Sequence, residues 1–173
     1  MTRFLLAGFV FITVATAAAQ PRPPSFLADA PLDPVLTTPH LEARATGEVT
    51  IGADGKASLV VQVTPKPKMH VYSADVDGYV PFTLKVQGPT GVTAGKVSYP
   101  PPELYVFPPT GESSRAYMKP FRVTVPLTVT ADARSTAHAK AWGTPGVVTL
   151  RYQACDDTVC YRPTTGSFVF TIK

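Results

Sequence analysis

The chain has 173 residues, with 16 Lys+Arg against 12 Asp+Glu and a formal charge of +4. Its basic residues are scattered rather than gathered into a patch or stripe, so no nucleic-acid footprint is visible, and the positive balance reads as a solvated surface. Its 19 prolines outnumber its 12 glycines. That argues against a helical bundle, because proline removes a backbone donor and obstructs a helix interior, and the absence of a Gly-X-Y period excludes collagen.

Met1 to Ala19 reads as an export address. Arg3 precedes an apolar run from Phe4 to about Ala15, and small residues end in Ala17-Ala18-Ala19 before Gln20. This is the order of a secretory signal peptide. The run is shorter than the roughly 20 apolar residues a membrane-spanning helix needs. Cleavage after Ala19 is therefore expected, with Gln20 rather than a lipid-accepting cysteine at the new N-terminus and no membrane span left after processing. The two cysteines would then reach a compartment where disulfides form. Residues 20–40 are proline-rich without a clean period and are expected to form an extended leader. Residues 41–173 are expected to form one domain.

From Leu41 onward, short runs alternate with period two. Glu48 to Ile51 and Ser58 to Val63 flank Gly52-Ala53-Asp54-Gly55, a hairpin signal. Met69 to Tyr72 and Val80 to Gln87 follow as a pair of strands, with Asp77-Gly78 between them as turn chemistry. Val92 to Tyr99 is another candidate. Pro100 to Pro109 is too rich in proline for a sheet interior and reads as a loop carrying apolar side chains. Phe121 to Val129 alternates again, with Pro126 suggesting an edge position or a bulge. Val147 to Tyr152 and Phe168 to Ile172 close the chain. Seven or more short strands at intervals of about ten residues suggest an all-β sandwich.

The chemistry concentrates in Tyr152-Gln153-Ala154-Cys155-Asp156-Asp157-Thr158-Val159-Cys160-Tyr161-Arg162-Pro163. Two thiols flank four residues at the tip between the last two expected strands. A structural staple is one reading. Closing a six-residue loop removes only about 2.2 kcal/mol of unfolded-chain entropy in the simple model, against roughly 4.7 kcal/mol for 100 residues. A chain of this length also has core enough to fold without a staple. Short local bridges are more often labile, and redox-active pairs are drawn from them. The spacing leaves both readings open. Local charge separates the two thiols: Asp156 and Asp157 disfavour a thiolate at Cys155, whereas Arg162 favours one at Cys160. Cys160 is thus the expected partner-exchanging sulfur, and Cys155 the resolving one.

The run Tyr152-Gln153-Ala154-Cys155 … Cys160-Tyr161-Arg162-Pro163 resembles the YQ-x-C…C-Y-x-P signature of the N-terminal periplasmic domain of the thiol:disulfide interchange protein DsbD. Met69-His70-Val71-Tyr72, Phe82 to Val86, Val97 to Gly111, Tyr117 and Phe121 to Val129 extend the likeness over most of residues 45–173. The resemblance implies an immunoglobulin-like β-sandwich in the periplasm. It implies a reversible Cys155–Cys160 disulfide that takes electrons from a thioredoxin-like donor and passes them to oxidised periplasmic proteins. It also implies that the second cysteine, Cys160, forms the intermolecular bond. Leu104 to Gly111 matches the family's cap loop, with Phe107 as its shielding aromatic, and His70, Tyr72 and Tyr161 fall where the family's aromatics line the site. The acids that flank the family's cap aromatic are replaced by Val106 and Pro108. The implied partners are thioredoxin-like oxidoreductases, periplasmic or membrane-anchored, and the reaction needs no organic or metal cofactor. The family's membrane electron-conducting and C-terminal thioredoxin-like domains have no counterpart before Lys173, so electrons are expected to come from a separate protein.

Two other functions compete. A non-redox immunoglobulin-like binding module would use the disulfide only to fix a hairpin tip, with a reduction potential below about −300 mV. Cu(I) handling would use Cys155, Cys160, His70 and Met69 as soft or borderline ligands, but His40, His70 and His138 show no metal-ligand spacing. Trp142 reads as a core or turn-packing residue rather than a ligand contact. Ser113-Ser114-Arg115 lacks any nucleophile-elbow context.

Overall fold

The computed structural model describes residues 33–47, 49–130 and 145–172. The expected signal peptide, most of the leader, His138 and Trp142 lie outside the described residues. Twelve strands are formed within them: β1 (Val35–Thr37), β2 (Leu41–Ala45), β3 (Lys56–Pro65), β4 (His70–Tyr72), β5 (Thr83–Gln87), β6 (Val92–Ala94), β7 (Glu103–Val106), β8 (Ser113–Tyr117), β9 (Phe121–Val129), β10 (Gly146–Tyr152), β11 (Ala154–Cys155) and β12 (Thr164–Phe170). Every strand pair is antiparallel. One sheet runs β1-β2-β3-β9-β6, a second β12-β10-β5, and a third, smaller one β11-β4-β8-β7. The expected all-β, immunoglobulin-like sandwich is the observed fold.

Alternation builds the core. Leu59, Val61 and Val63 of β3 and Phe121, Val123, Val125 and Leu127 of β9 are buried on one side. Val148, Leu150 and Tyr152 of β10 and Phe168 and Phe170 of β12 join them in a single apolar cluster. Period-two strands can bury one face in this way while the other stays wet.

Four local expectations are corrected. The Gly52–Gly55 turn exists, with Gly52 N–H donating to Lys56 O at 2.8 Å and Gly55 at φ +77°. Its first arm is not a ladder strand: Val49 makes one parallel bridge to Ile172, and β3 pairs with β2 and β9 instead. Val49 is only 2% exposed, so its apolarity serves the core rather than a hairpin. β4 and β5 do not pair with each other either: β4 joins β8 and β11, and β5 joins β10. Glu103–Val106, expected as loop, is the strand β7 at the end of its sheet, paired to β8; prolines on both sides keep it short. β1 lies inside the stretch expected as leader, held by pairing with β2.

Pro126 sits in a strand paired on both sides, yet its missing donor costs little. β6 pairs Ala94 with Leu127, and Ser98 bridges Thr124. Three residues on one side therefore face two on the other, a bulge of the kind proline tolerates.

At Gly146 the chains approach closely. A Cβ there would lie 2.3 Å from Cε1 and Cζ of Phe170, its register partner across β10 and β12. Gly146→Ala is expected to cost about 1–3 kcal/mol by overpacking, read as a lower thermal midpoint. An unchanged midpoint would contradict this packing.

Candidate functional site

The small sheet exists because the chain leaves the main sheet at a tight turn. After β3, Met69 N–H donates to Lys66 O at 2.9 Å and Lys68 adopts φ +66°, which swings His70-Val71-Tyr72 onto β8 and β11. Residues 73–82 then return to the core. Ser73 Oγ–H donates to Asp75 Oδ1 at 2.6 Å, Arg115 pairs with Asp75 at 3.0 Å, and Phe82 N–H donates to Tyr72 O at 3.0 Å.

The signature residues have separate structural duties. Tyr152 is buried, and its hydroxyl lies 2.8 Å from Thr38 Oγ1. Gln153 spans two segments: its Oε1 accepts from Val80 N–H at 3.2 Å, and its Nε2 donates to Tyr161 O at 3.2 Å. Tyr161 N–H donates to Ala154 O at 2.9 Å, and Asp156 N–H to Val159 O at 3.0 Å. These bonds fold residues 154–161 into a narrow hairpin with Cys155 bridged to Cys160. The two sulfurs are bonded, with Cα atoms 4.0 Å apart.

Asp156 organises the tip. Its Oδ1 accepts from Thr158 N–H and Val159 N–H, both at 2.8 Å, and from Thr158 Oγ1 at 2.7 Å. Its Oδ2 accepts from the Tyr161 hydroxyl at 2.9 Å. These bonds, those from Thr158 foremost, hold its carboxyl well below the usual carboxylate range. Asp157 accepts from the Tyr105 hydroxyl at 3.0 Å, tying β7 to the cysteine loop.

Burial divides the cysteine pair: Cys155 is 0% exposed, whereas Cys160 faces solvent. Arg162 is exposed as well. The Tyr72 hydroxyl reaches both sulfurs, 3.4 Å from Cys155 Sγ and 3.5 Å from Cys160 Sγ. Disulfide sulfurs carry no proton, so Tyr72 is the donor. Burial, then the neighbouring Tyr79, pushes its phenol well above the ordinary tyrosine value, so the donor proton is retained at physiological pH.

Aromatic rings surround this centre. Tyr79 stacks on Tyr72 at 3.9 Å between centroids. His70 meets Tyr72 edge-on at 5.5 Å, and Tyr105 covers His70 at 3.8 Å. Burial, then Asp157, pushes the Tyr105 phenol up to about 12. His40 lies against Tyr161 at 4.6 Å. Phe107 occupies the β7–β8 tip, where Gly111 N–H donates to Phe107 O at 2.8 Å and Gly111 takes φ +72°. It lines a cleft of about 310 Å³ together with Tyr72, Tyr79, Leu104 and Arg115.

Of the residues expected at the site, Cys155, Cys160, His70 and Tyr72 come together directly. Tyr161 joins through Asp156, and Phe107 shares a cleft with Tyr72 that neither cysteine lines. Sequence reasoning missed Tyr79, Tyr105 and the anchoring roles of Gln153, Asp156 and Asp157. Tyr105 had a signal, as an aromatic inside the proline-flanked stretch; Tyr79 had none beyond its glycine neighbour. Among the described residues no cluster of three or more His, Cys, Asp or Glu is arranged to hold a metal ion.

Tyr72→Phe isolates the donor. A hydrogen bond to a charged group contributes about 1.5–3 kcal/mol, and 1.36 kcal/mol corresponds to one pKa unit. In the reduced protein the variant should raise the reactive thiol's pKa by about one unit, read from the pH dependence of alkylation. An unchanged profile would show that the hydroxyl does not serve the sulfurs.

No curated protein matches the sequence. Among solved structures, the N-terminal periplasmic domain of ScsB from Proteus mirabilis superposes with a TM-score of 0.54 at 18% identity, covering 80% of this chain and 50% of that one. The chain thus spans half the length of that relative, and the likeness is one of fold. The GAE domain of yeast GGA1 aligns over 79% of this chain and 96% of its own, with a TM-score of 0.43 and 14% identity. The family model for the N-terminal part of thiol:disulfide interchange protein DsbD matches residues 38–172, which include both cysteines and the small sheet that carries them. The chain belongs to the family of the N-terminal domain of thiol:disulfide interchange protein DsbD.

Proposed function

We propose that this protein is a periplasmic electron carrier that trades the Cys155–Cys160 disulfide with thioredoxin-like oxidoreductases, periplasmic or membrane-anchored, and passes the electrons to oxidised exported proteins. The observation that carries this reading is the asymmetry of the bond: one buried sulfur, one solvent-facing sulfur, and the Tyr72 hydroxyl within 3.5 Å of both. A partner thiolate attacks Cys160 Sγ. The bond to Cys155 breaks, and its electron pair leaves on Cys155, where Tyr72 donates a hydrogen bond. A mixed disulfide joins Cys160 to the partner, and the partner's second thiol resolves it, leaving both cysteines reduced. In the onward step Cys160 attacks the oxidised acceptor, and Cys155 resolves that mixed disulfide to restore the bond.

Phe107 on the β7–β8 tip, with His70, Tyr72 and Tyr161, is the shield in this reading. It limits access of small oxidants while the pair is reduced. The protein is exported by its signal peptide, cleaved after Ala19, and the bond itself is the redox group.

Trapping in the native periplasm tests the proposal. Cys155→Ser leaves Cys160 unable to close the ring, so partners should accumulate as covalent adducts at Cys160, thioredoxin-fold proteins among them. A folded, exported variant that joins no protein would leave only a cross-linked sandwich.

A further inference from the structure

His70 is an unusual tenant of this site. It is 2% exposed, and its Nε2 is buried with no hydrogen-bond partner. A buried polar atom left unpaired costs free energy and calls for an explanation. The β4–β11 register sets His70 opposite Cys155, and Cys155 bridges onward to Cys160. The three residues therefore occupy one row across three paired backbone segments. Directly opposed residues point to the same face, with Cβ atoms about 4.5–5.5 Å apart, so the His70 side chain leaves the sheet on the face that carries Cys155.

From this juxtaposition we propose that His70 is the proton acceptor coupled to reduction of the Cys155–Cys160 bond, taking up a proton on its unpartnered nitrogen when the bond opens.

The proposal rests on the redox reading above and adds to it where a proton goes. A partner dithiol loses two electrons and two protons and becomes a disulfide. The two electrons break the Cys155–Cys160 bond and leave two sulfur anions. One proton neutralises one sulfur; the other goes to His70, leaving a thiolate beside an imidazolium. The neutral disulfide offers His70 no such partner, and the thiolate supplies one, so opening the bond raises the histidine's proton affinity.

The groups facing His70 fit this role. On its own strand Tyr72 presents an uncharged ring, edge-on. From β7, Tyr105 stacks over it and keeps its proton. From β8, Tyr117 pairs with neighbouring Val71 and turns with it to the opposite, core face. From the cysteine loop, Asp157 and Asp156 act on His70 through charge. Burial lowers its proton affinity in the disulfide form, and the two aspartates partly offset that. It is therefore neutral and ready to accept at physiological pH.

By linkage, redox state and His70 protonation must shift each other equally. If opening the bond raises the His70 midpoint by one unit, acidification through that window makes the bond up to about tenfold easier to reduce. A histidine with a purely packing role would show no such coupling.

Imidazole NMR titration of the full mature protein tests this, once with the disulfide intact and once after reduction with a phosphine. His70→Phe, which keeps a stacked ring, assigns the signal. If that variant does not fold, His40→Gln and His138→Gln assign it by elimination, since the chain has three histidines. The expected result is a His70 midpoint at least about one pH unit higher in the reduced protein. Equal midpoints in the two states overturn the proton role and leave the carrier reading intact. A bond that resists the phosphine in the folded protein overturns both. As a second readout, the equilibrium with dithiothreitol should lose up to about tenfold of its pH dependence in His70→Phe; an unaltered dependence contradicts the proposal.

Discussion

Cys160→Ser should abolish disulfide exchange without forming any partner adduct, whereas Cys155→Ser should stop turnover and leave a stable adduct. The two substitutions remove the same bond, so a structural staple would make them equivalent. The site makes them unequal. Cys155 is fully buried beneath the hairpin, and an attacking thiolate needs access to the sulfur it strikes. Cys160 faces solvent on a loop whose shape is set by Asp156 and its four hydrogen bonds. Turnover against a thioredoxin-like dithiol should fall to background in both variants. Mixed instead with the partner's disulfide form and quenched, Cys155→Ser alone should carry the mixed disulfide by mass spectrometry, Cys160 attacking the partner's bond and displacing its second sulfur as a thiol. Adducts forming equally fast at Cys155 in the Cys160→Ser variant would reverse the assignment.

Phe82→Ala is expected to be the most damaging single truncation near the site. Phe82 is fully buried, packs edge-on against Phe121 at 5.3 Å and meets Tyr99 at 6.3 Å. Truncating a buried phenylalanine costs about 3–5 kcal/mol through lost burial and the cavity left behind. For a domain of this size that lowers the thermal midpoint by roughly 10 °C. The effect should reach the chemistry too, because Phe82 N–H donates to the carbonyl of Tyr72, whose hydroxyl serves both sulfurs. Chemical denaturation measures the first effect and thiol alkylation the second. A loss below about 1 kcal/mol would mean that the ring does not pack as described.

What the sequence made readable follows from how each signal works. Alternation in Phe121–Val129 and Val147–Tyr152 marks strands because one face of each is buried, and this pattern is local. The cysteine hairpin was legible because its spacing and flanking Tyr, Gln and Pro are all contained in one short run. Pairing partners were not legible. Nothing between Met69 and Gln87 distinguishes a hairpin from two strands that enter different sheets, since that choice is made by β8 and β10 far along the chain. β7 was not legible because Pro102 and Pro108 outweigh the five residues between them. Charge was weighed at the thiols through Arg162, yet what separates the two sulfurs in space is burial, which no local charge pattern reports. The aspartates proved to be anchors: one fixes the loop and the other holds Tyr105 over His70.

The central claim is that the Cys155–Cys160 bond opens while the fold stays intact. The direct measurement mixes the folded protein with a reduced thioredoxin-fold dithiol, quenches with an alkylating agent and counts labelled cysteines by mass, with near-ultraviolet circular dichroism recorded in parallel. Two labels with unchanged tertiary dichroism is the predicted result. An unlabelled protein, or labelling that appears only once the tertiary signal is lost, would contradict it.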